Sequence, residues 1–241
     1  AYTVSGSHAW VSETFTTVKK STQVFTIAGG PHPTFFPDFL EADGLDAVCI
    51  GEGEDAMSEL AAQLDAGEKP TGINNLWIKN DTESIEKNPL RPLIEDLGEL
   101  PMPDRDIYYS KYSILRNSPS KHFITGRGCP FNCTFCSNKA YKELYNGLGP
   151  MVRLPPKSQI CDEIVDTMAD VWQNGGRVVR LHTGDPSLYG AIFEQMVKLD
   201  ERSIPYRVIP GVTAAFAAAA AMQMEYTLPE ITQTLILTRM A

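Results

Sequence analysis

Three cysteines lie close together near the middle of the sequence, and this cluster constrains the chain more than any other feature. They are Cys129, Cys133 and Cys136, in the spacing C-x3-C-x2-C. Thiolates on one short loop can converge on a single centre, and iron–sulfur clusters are normally held by four cysteines. With three, one iron keeps an open coordination position for a substrate or cofactor. The spacing therefore predicts an iron–sulfur loop.

The chain has five cysteines in all, an odd number that fits a disulfide framework poorly. It fits better with a metal site in a reducing compartment, so we expect the protein in the cytoplasm. A structural zinc site is the alternative, but zinc prefers four closed ligands. His122 is available but precedes the loop by several residues. Cys49 is predicted to be a core residue, and Cys161 is assigned no role.

The cysteine motif resembles that of radical S-adenosylmethionine (SAM) enzymes. In that family three cysteines hold a 4Fe–4S cluster, the open iron chelates SAM, and reduction of the cluster cleaves SAM to a 5′-deoxyadenosyl radical. The resemblance makes Cys129, Cys133 and Cys136 the metal ligands and places Phe135 near the adenine. It also implies an electron donor such as a flavodoxin or a ferredoxin.

Strand and helix signals alternate before the cysteines. Residues 23–28 and 47–50 are apolar runs that end in Gly29-Gly30 and in Gly51-Glu52-Gly53, and residues 55–64 have helical spacing. This order is typical of a parallel α/β sheet, in which ligands bind at the C-terminal ends of the strands. The sequence therefore predicts an α/β fold with a ligand edge at these glycines.

Three short motifs resemble radical SAM enzymes that carry an N-terminal cobalamin-binding domain. They are residues 29–34, 51–54 and 100–104. The resemblance implies a flavodoxin-like parallel sheet and places Gly29 and Gly30 near the nucleotide tail of cobalamin. The Asp-x-His-x-x-Gly loop that supplies a cobalt ligand in some members is absent. The alternative for the diglycine is a tight strand-to-helix turn. The alternative for Glu52 and Glu54 is a helix N-terminus.

Helix and strand signals continue after the cysteines. The sequence predicts helices at residues 162–172, 189–201 and 213–221, the last one Ala-rich and expected to pack in a core. It predicts strands at residues 122–125, 177–181, 206–209 and 234–237.

The last part of the chain resembles tetrapyrrole methylases, most closely the precorrin-4 and cobalt-precorrin-4 C11-methyltransferases. Residues 178–190, 209–214 and 227–230 carry the resemblance. In that family SAM is an ordinary methyl donor, and a corrinoid or tetrapyrrole is the substrate. The cofactor-lining positions that the resemblance implies are Thr183, Gly184, Asp185, Leu188, Thr213 and Ala214. The family's Gly-rich first loop is absent, and residues 184–186 alone could be a plain turn.

The predicted domains are therefore a partial cobalamin-binding-like domain at 1–95, a linker and start of a radical SAM barrel at 96–162, and a methylase fragment at 163–241. The chain is predicted to be a radical SAM iron–sulfur protein joined to part of a corrinoid-pathway methyltransferase. Precorrin-4 methylation alone, and a non-catalytic hybrid or gene-model artefact, are the alternatives.

Charge and hydropathy exclude two classes of partner. The chain has 21 Lys and Arg against 30 Asp and Glu, a net charge of −9. Such a surface repels phosphate backbones, so we expect no nucleic acid among the partners. The most apolar stretch, residues 212–224, is shorter than the ~20 residues that a bilayer-spanning helix needs. We therefore expect a small-molecule substrate and no membrane span.

Overall fold

The computed structural model describes residues 1–80 and 84–238, and it divides the chain into two compact units. Unit 1 comprises Ala1–Glu95 together with Arg127–Arg153. Unit 2 comprises Asp96–Gly126 together with Leu154–Ala241. The cysteine loop thus belongs to unit 1, with the N-terminal sheet.

Helices and strands follow one another along the described residues, with 3₁₀ turns at Pro37–Glu41 and Leu97–Glu99. Their order is α1 His8–Ser21, β1 Ile27–Ala28, α2 Pro31–Phe35, β2 Ala47–Cys49, α3 Glu54–Asp65, β3 Leu76–Lys79, β4 Ile85–Lys87, α4 Asp106–Tyr109, α5 Ser113–Arg116, α6 Ser137–Leu144, α7 Lys157–Gln173, α8 Phe193–Glu201 and α9 Ala214–Ala221.

The predicted α/β class is confirmed, and the sheet in unit 1 is mixed. Its strand order is β1-β2-β3-β4. Strand β1 pairs parallel with β2, whereas β3 pairs antiparallel with both β2 and β4. A short connection joins β3 to β4, and strands joined this closely can pair only antiparallel. The parallel part of the sheet is therefore the β1–β2 pair, at whose ends the predicted glycines lie.

Apolar residues cover both faces of strand β2, all three residues of which are buried. On one face, Ala47 and Cys49 pack with Ala56 and Leu60 of α3, and on the other Val48 packs with Leu40. Alternate residues of a strand point to opposite faces, which accounts for this division. Cys49 is a core residue, as predicted.

In unit 2, helices α7 and α8 pack against each other. Val165 and Ala169, four residues apart on α7, form a buried cluster with Leu199 and Ile204. The predicted Ala-rich helix is present as α9, but Ala219 is its one buried residue among those described. The expectation that this helix packs in a core is therefore wrong, because an alanine face offers little apolar area to bury.

The predicted strands after residue 96 do not form. Residues 122–125, 177–181, 206–209 and 234–237 are irregular in the described chain. Side chains that a sheet would cover stay open to solvent: Val179 is 79% exposed and Leu181 87%. A strand is stable only when a neighbour pairs with it, and none does so here.

Across residues 1–80 and 84–238, every helix is too short or too polar to cross a membrane.

Candidate functional site

The residues from Arg127 to Arg153, which we call the cysteine segment, belong to unit 1, and the two ends of the segment lie side by side. At its base the Arg127 N–H donates to the Arg153 carbonyl at 2.8 Å, and the Arg153 N–H donates to the Arg127 carbonyl at 3.0 Å. Gly128 has a φ of +78°, and a Cβ there would lie 1.9 Å from the Met151 carbonyl oxygen. The two ends approach this closely because residue 128 has no side chain.

Glu52 ties the base of the cysteine segment to the loop that follows β2. The Arg153 guanidinium donates to its carboxylate twice, at 2.7 and 2.9 Å, and Arg127 donates to it at 2.9 Å. The Arg153 side chain is only 3% exposed and that of Glu52 17%. A buried guanidinium needs such a partner, since an unpaired charge is costly in a poorly hydrated place. The cysteine segment is thereby fixed at the C-terminal end of β2.

The backbone of Glu52 is held as firmly as its side chain. Its N–H donates to the Tyr145 hydroxyl at 2.8 Å, and its carbonyl accepts from the Asn75 amide at 2.5 Å. Burial raises the pKa of Tyr145 to about 12, so this hydroxyl stays protonated. Tyr145 lies directly over Gly51, whose φ is +76°. This loop therefore requires a glycine for both backbone conformation and space.

The ion pairs of Glu52 predict a pH dependence of stability. Burial raises the pKa of this carboxyl, but the hydrogen bonds and charges of Arg153 and Arg127 outweigh burial and lower the pKa overall. A carboxylate with a lowered pKa stabilises the fold above its unfolded value of about 4.3, and loses that effect as the pH falls through the folded value. We expect the stability difference between wild type and Glu52→Gln to shrink below about pH 4.3, as measured by urea unfolding over a pH series. A difference that stays constant with pH would contradict the assignment.

The three loop cysteines are free thiols that differ in exposure. Cys133 is exposed, whereas Cys129 and Cys136 are partly buried. Cys136 is the N-terminal cap residue of α6, and its N–H donates to the Cys133 carbonyl at 3.2 Å. The predicted adenine neighbour, Phe135, is 91% exposed.

The donor set of this loop fits an iron–sulfur cluster, because three unoxidised thiols share one loop. The sulfurs are not gathered beforehand, however. No three His, Cys, Asp or Glu side chains in the described ranges are placed to hold a metal ion together. Cluster binding therefore requires the loop to draw its sulfurs together, and the same holds for zinc.

The diglycine after β1 lies against the start of the chain. Tyr2 forms a parallel bridge with Gly29, and the Thr3 N–H donates to the Gly29 carbonyl at 2.7 Å. Gly30 has a φ of +99°, and a Cβ there would lie 2.9 Å from the Thr3 carbonyl oxygen. The diglycine is thus not an open cradle, and cobalamin could approach it only if the first residues moved away. Its place beside cobalamin stays a prediction.

In unit 2, Asp185 joins the two loops that the methylase resemblance places on a cofactor. Its carboxylate accepts from the Gly211 N–H at 2.9 Å and from the Ser187 N–H at 2.8 Å. These hydrogen bonds, that of Gly211 first, lower the pKa of Asp185. A Cβ on Gly211 would lie 2.2 Å from the Gly184 carbonyl oxygen. The loops at 183–188 and 211–214 are therefore in direct contact.

The remaining predicted cofactor positions lie around this contact. Thr213 is buried and its hydroxyl caps α9, accepting from the Phe216 N–H at 3.4 Å. Thr183 and Ala214 are exposed, and Leu188 is partly buried. The structure thus brings all of these positions onto two adjoining segments, the second of which ends at the first residue of α9.

Sequence reasoning missed Arg127, Arg153 and Tyr145. It placed Glu52 in a motif of the radical SAM resemblance, with a helix N-terminus as the alternative, but in no ion pair. Glu52 is 75 residues from Arg127 and 101 from Arg153. No local pattern encodes pairs so far apart in the chain. A local signal was available for Arg127, which directly precedes Gly128, the glycine before the first cysteine.

In comparisons with known proteins, two family models each match part of this chain. The family model of tetrapyrrole (corrin/porphyrin) methylases matches residues 134–241. The model of the B12 binding domain matches residues 2–61. The two matches leave residues 62–133 between them.

The relatives of the C-terminal part are methyltransferases. Over 78 residues the chain is 55% identical to a cobalt-precorrin-4 C(11)-methyltransferase of Priestia megaterium, covering 32% of this chain and 30% of that protein. Over 102 residues it is 45% identical to the enzyme of the same name from Methanocaldococcus jannaschii, covering 42% and 36%.

Among solved structures, the cobalamin-dependent S-adenosylmethionine radical enzyme OxsB is similar in fold. The TM-score is 0.53 at 18% identity, over 71% of this chain and 23% of that one.

The chain spans about a third of the length of the two curated methyltransferases it matches. It is therefore similar to B12-binding domains in its first part and to tetrapyrrole methylases in its last.

Proposed function

We propose that the loops at residues 183–188 and 211–214 bind SAM for methyl transfer to a tetrapyrrole of the corrin type. The observation that carries the proposal is the Asp185 carboxylate, which holds the two loops together through Gly211 and Ser187. The methylase match over residues 134–241 and the precorrin-4 relatives support it.

The residues of this chain would act by positioning. SAM supplies an electrophilic methyl group, and catalysis of such a transfer rests largely on the orientation of the two reactants. Asp185 keeps Gly184 against Gly211, where the absence of side chains lets backbone approach a ligand. Thr213 fixes the start of α9 beneath the second loop.

Titration calorimetry with S-adenosylhomocysteine tests this proposal. Replacing Asp185 by Ala leaves two backbone N–H groups without their charged partner, so we expect affinity to fall by about tenfold or more. Asp170→Ala, on the exposed face of α7, removes the same charge and should bind like wild type. Absence of binding by wild type, or equal binding by Asp185→Ala, would overturn the proposal.

A second candidate function is binding of a 4Fe–4S cluster and SAM by the cysteine segment. It is favoured by three free thiols on one loop whose base is fixed to the C-terminal end of β2. Such a cluster supplies one-electron chemistry with SAM. The chain's own contribution would be three sulfur ligands and an exposed Phe135 beside them.

Anoxic reconstitution with iron and sulfide tests the second candidate. We expect wild type to take up about four irons per chain, and Cys133→Ala to lose most of them because one of three protein ligands is gone. Cys161→Ala, on α7, should load like wild type. A colourless wild type, or a Cys133→Ala variant with undiminished iron, would exclude this function.

A further inference from the structure

Lys142 on helix α6 reaches back to the cysteine loop with three hydrogen bonds. Its ammonium donates to the Pro130 carbonyl at 3.0 Å, to the Phe131 carbonyl at 2.9 Å and to the Asn132 side-chain oxygen at 2.7 Å. The three residues that carry these acceptors make up the whole spacer between the first and second cysteines. An ammonium group has three protons to donate, so all of them are used here.

The same helix fixes the other two cysteines. Cys136 is the N-terminal cap residue of α6, and its N–H donates to the Cys133 carbonyl, which holds Cys133 beside it. Within the described part of the chain, no backbone hydrogen bond joins Cys129 to α6, and Cys129 precedes Pro130, whose carbonyl accepts from Lys142. Lys142 therefore supplies the link between Cys129 and the helix that carries the other two thiols.

We propose that Lys142 is a positioning residue for the cysteine loop. It sets the path of the three-residue spacer so that the sulfur of Cys129 can approach those of Cys133 and Cys136. The proposal rests on the second candidate function, since a cluster is what would need the three sulfurs together. Its consequence for the loop itself, however, can be measured without a cluster.

Helix α6 offers a matched control in Lys139, one turn nearer its start. Lys139 is about half exposed and lies 3.9 Å from Glu143, at the spacing of a surface ion pair. Surface pairs of this kind contribute little to stability. Lys139→Met thus removes the same charge from the same helix without touching the spacer.

The first experiment measures alkylation of each thiol by iodoacetamide in the cluster-free chain, with mass spectrometry of the cysteine peptides. In Lys142→Met we expect partly buried Cys129 to react severalfold faster, approaching the rate of exposed Cys133. Lys142→Arg, which keeps a charged donor, should restore a slow rate, and Lys139→Met should match wild type. The midpoint of thermal unfolding should be similar in all four proteins.

The second experiment follows loss of iron to a chelator after anoxic loading. Losing charge-assisted hydrogen bonds to the spacer should make Lys142→Met release iron about tenfold faster than wild type and Lys139→Met. If wild type takes up no cluster, the second candidate function fails and the alkylation rates alone decide. Cys129 reactivity in Lys142→Met equal to that in wild type would overturn the positioning role, whether or not a cluster forms.

Discussion

Replacing Glu52 by Gln is expected to lower the free energy of unfolding by about 3 kcal/mol at neutral pH. The substitution leaves the guanidinium of Arg153, only 3% exposed, without its anionic partner. Removing one member of a buried pair is far more costly than removing both, because the remaining charge has lost its hydration. Urea unfolding measures the loss, and hydrogen exchange in residues 127–153 should locate it at the base of the cysteine segment.

Glu54→Gln is the control for this loss. Glu54 also pairs with Arg127, at 2.5 Å, but its side chain is 36% exposed. A pair so accessible to water contributes less than about 1 kcal/mol. Equal effects of the two substitutions would show that the carboxylate of Glu52 is not the anchor of the segment.

Gly128→Ala is expected to destabilise unit 1 by about 3 kcal/mol. Two costs add at this position. A side chain at a φ of +78° is strained by about 1–2 kcal/mol. The new Cβ would also lie 1.9 Å from the Met151 carbonyl oxygen, so the backbone of one end of the segment must shift.

Gly147→Ala separates the two costs. Gly147 has a φ of +80°, but nothing lies within 4 Å of a Cβ built there. We therefore expect it to show the conformational strain alone, about 1–2 kcal/mol in the same urea experiment. If Gly128→Ala is no worse than Gly147→Ala, the two ends of the segment are not packed as closely as described.

Local patterns were sufficient for the elements whose stability is local. Helix α3 was predicted at residues 55–64 and spans Glu54–Asp65, because Ala56 and Leu60 repeat at helical spacing. Strand β2 was predicted from a different local signal, a short continuous apolar run. Strand β4 was missed because Ile85–Lys87 carries two charges, and only pairing with β3 makes it a strand. The strands predicted beyond residue 96 failed in the opposite way, since apolar runs were present without partners.

For the candidate site, the sequence identified the side chains that could bind a ligand, but not the contacts that bring those side chains together. The cysteine spacing names the thiols, and the glycines at residues 184 and 211 mark two loops. Their connections depend on contacts that no local pattern contains: Asp185 to Gly211, and Glu52 to the arginines at both ends of the cysteine segment.

The hydrogen-bonded base of the cysteine segment has a consequence for how such loops can vary. Because Arg127 and Arg153 bond to each other directly, residues added in the exposed turn at residues 146–147 do not change where the ends must be. Doubling the length of a flexible loop costs only about 0.6 kcal/mol in closure entropy. Related chains can therefore be expected to differ in length at this turn while keeping both arginines and the carboxylate they share.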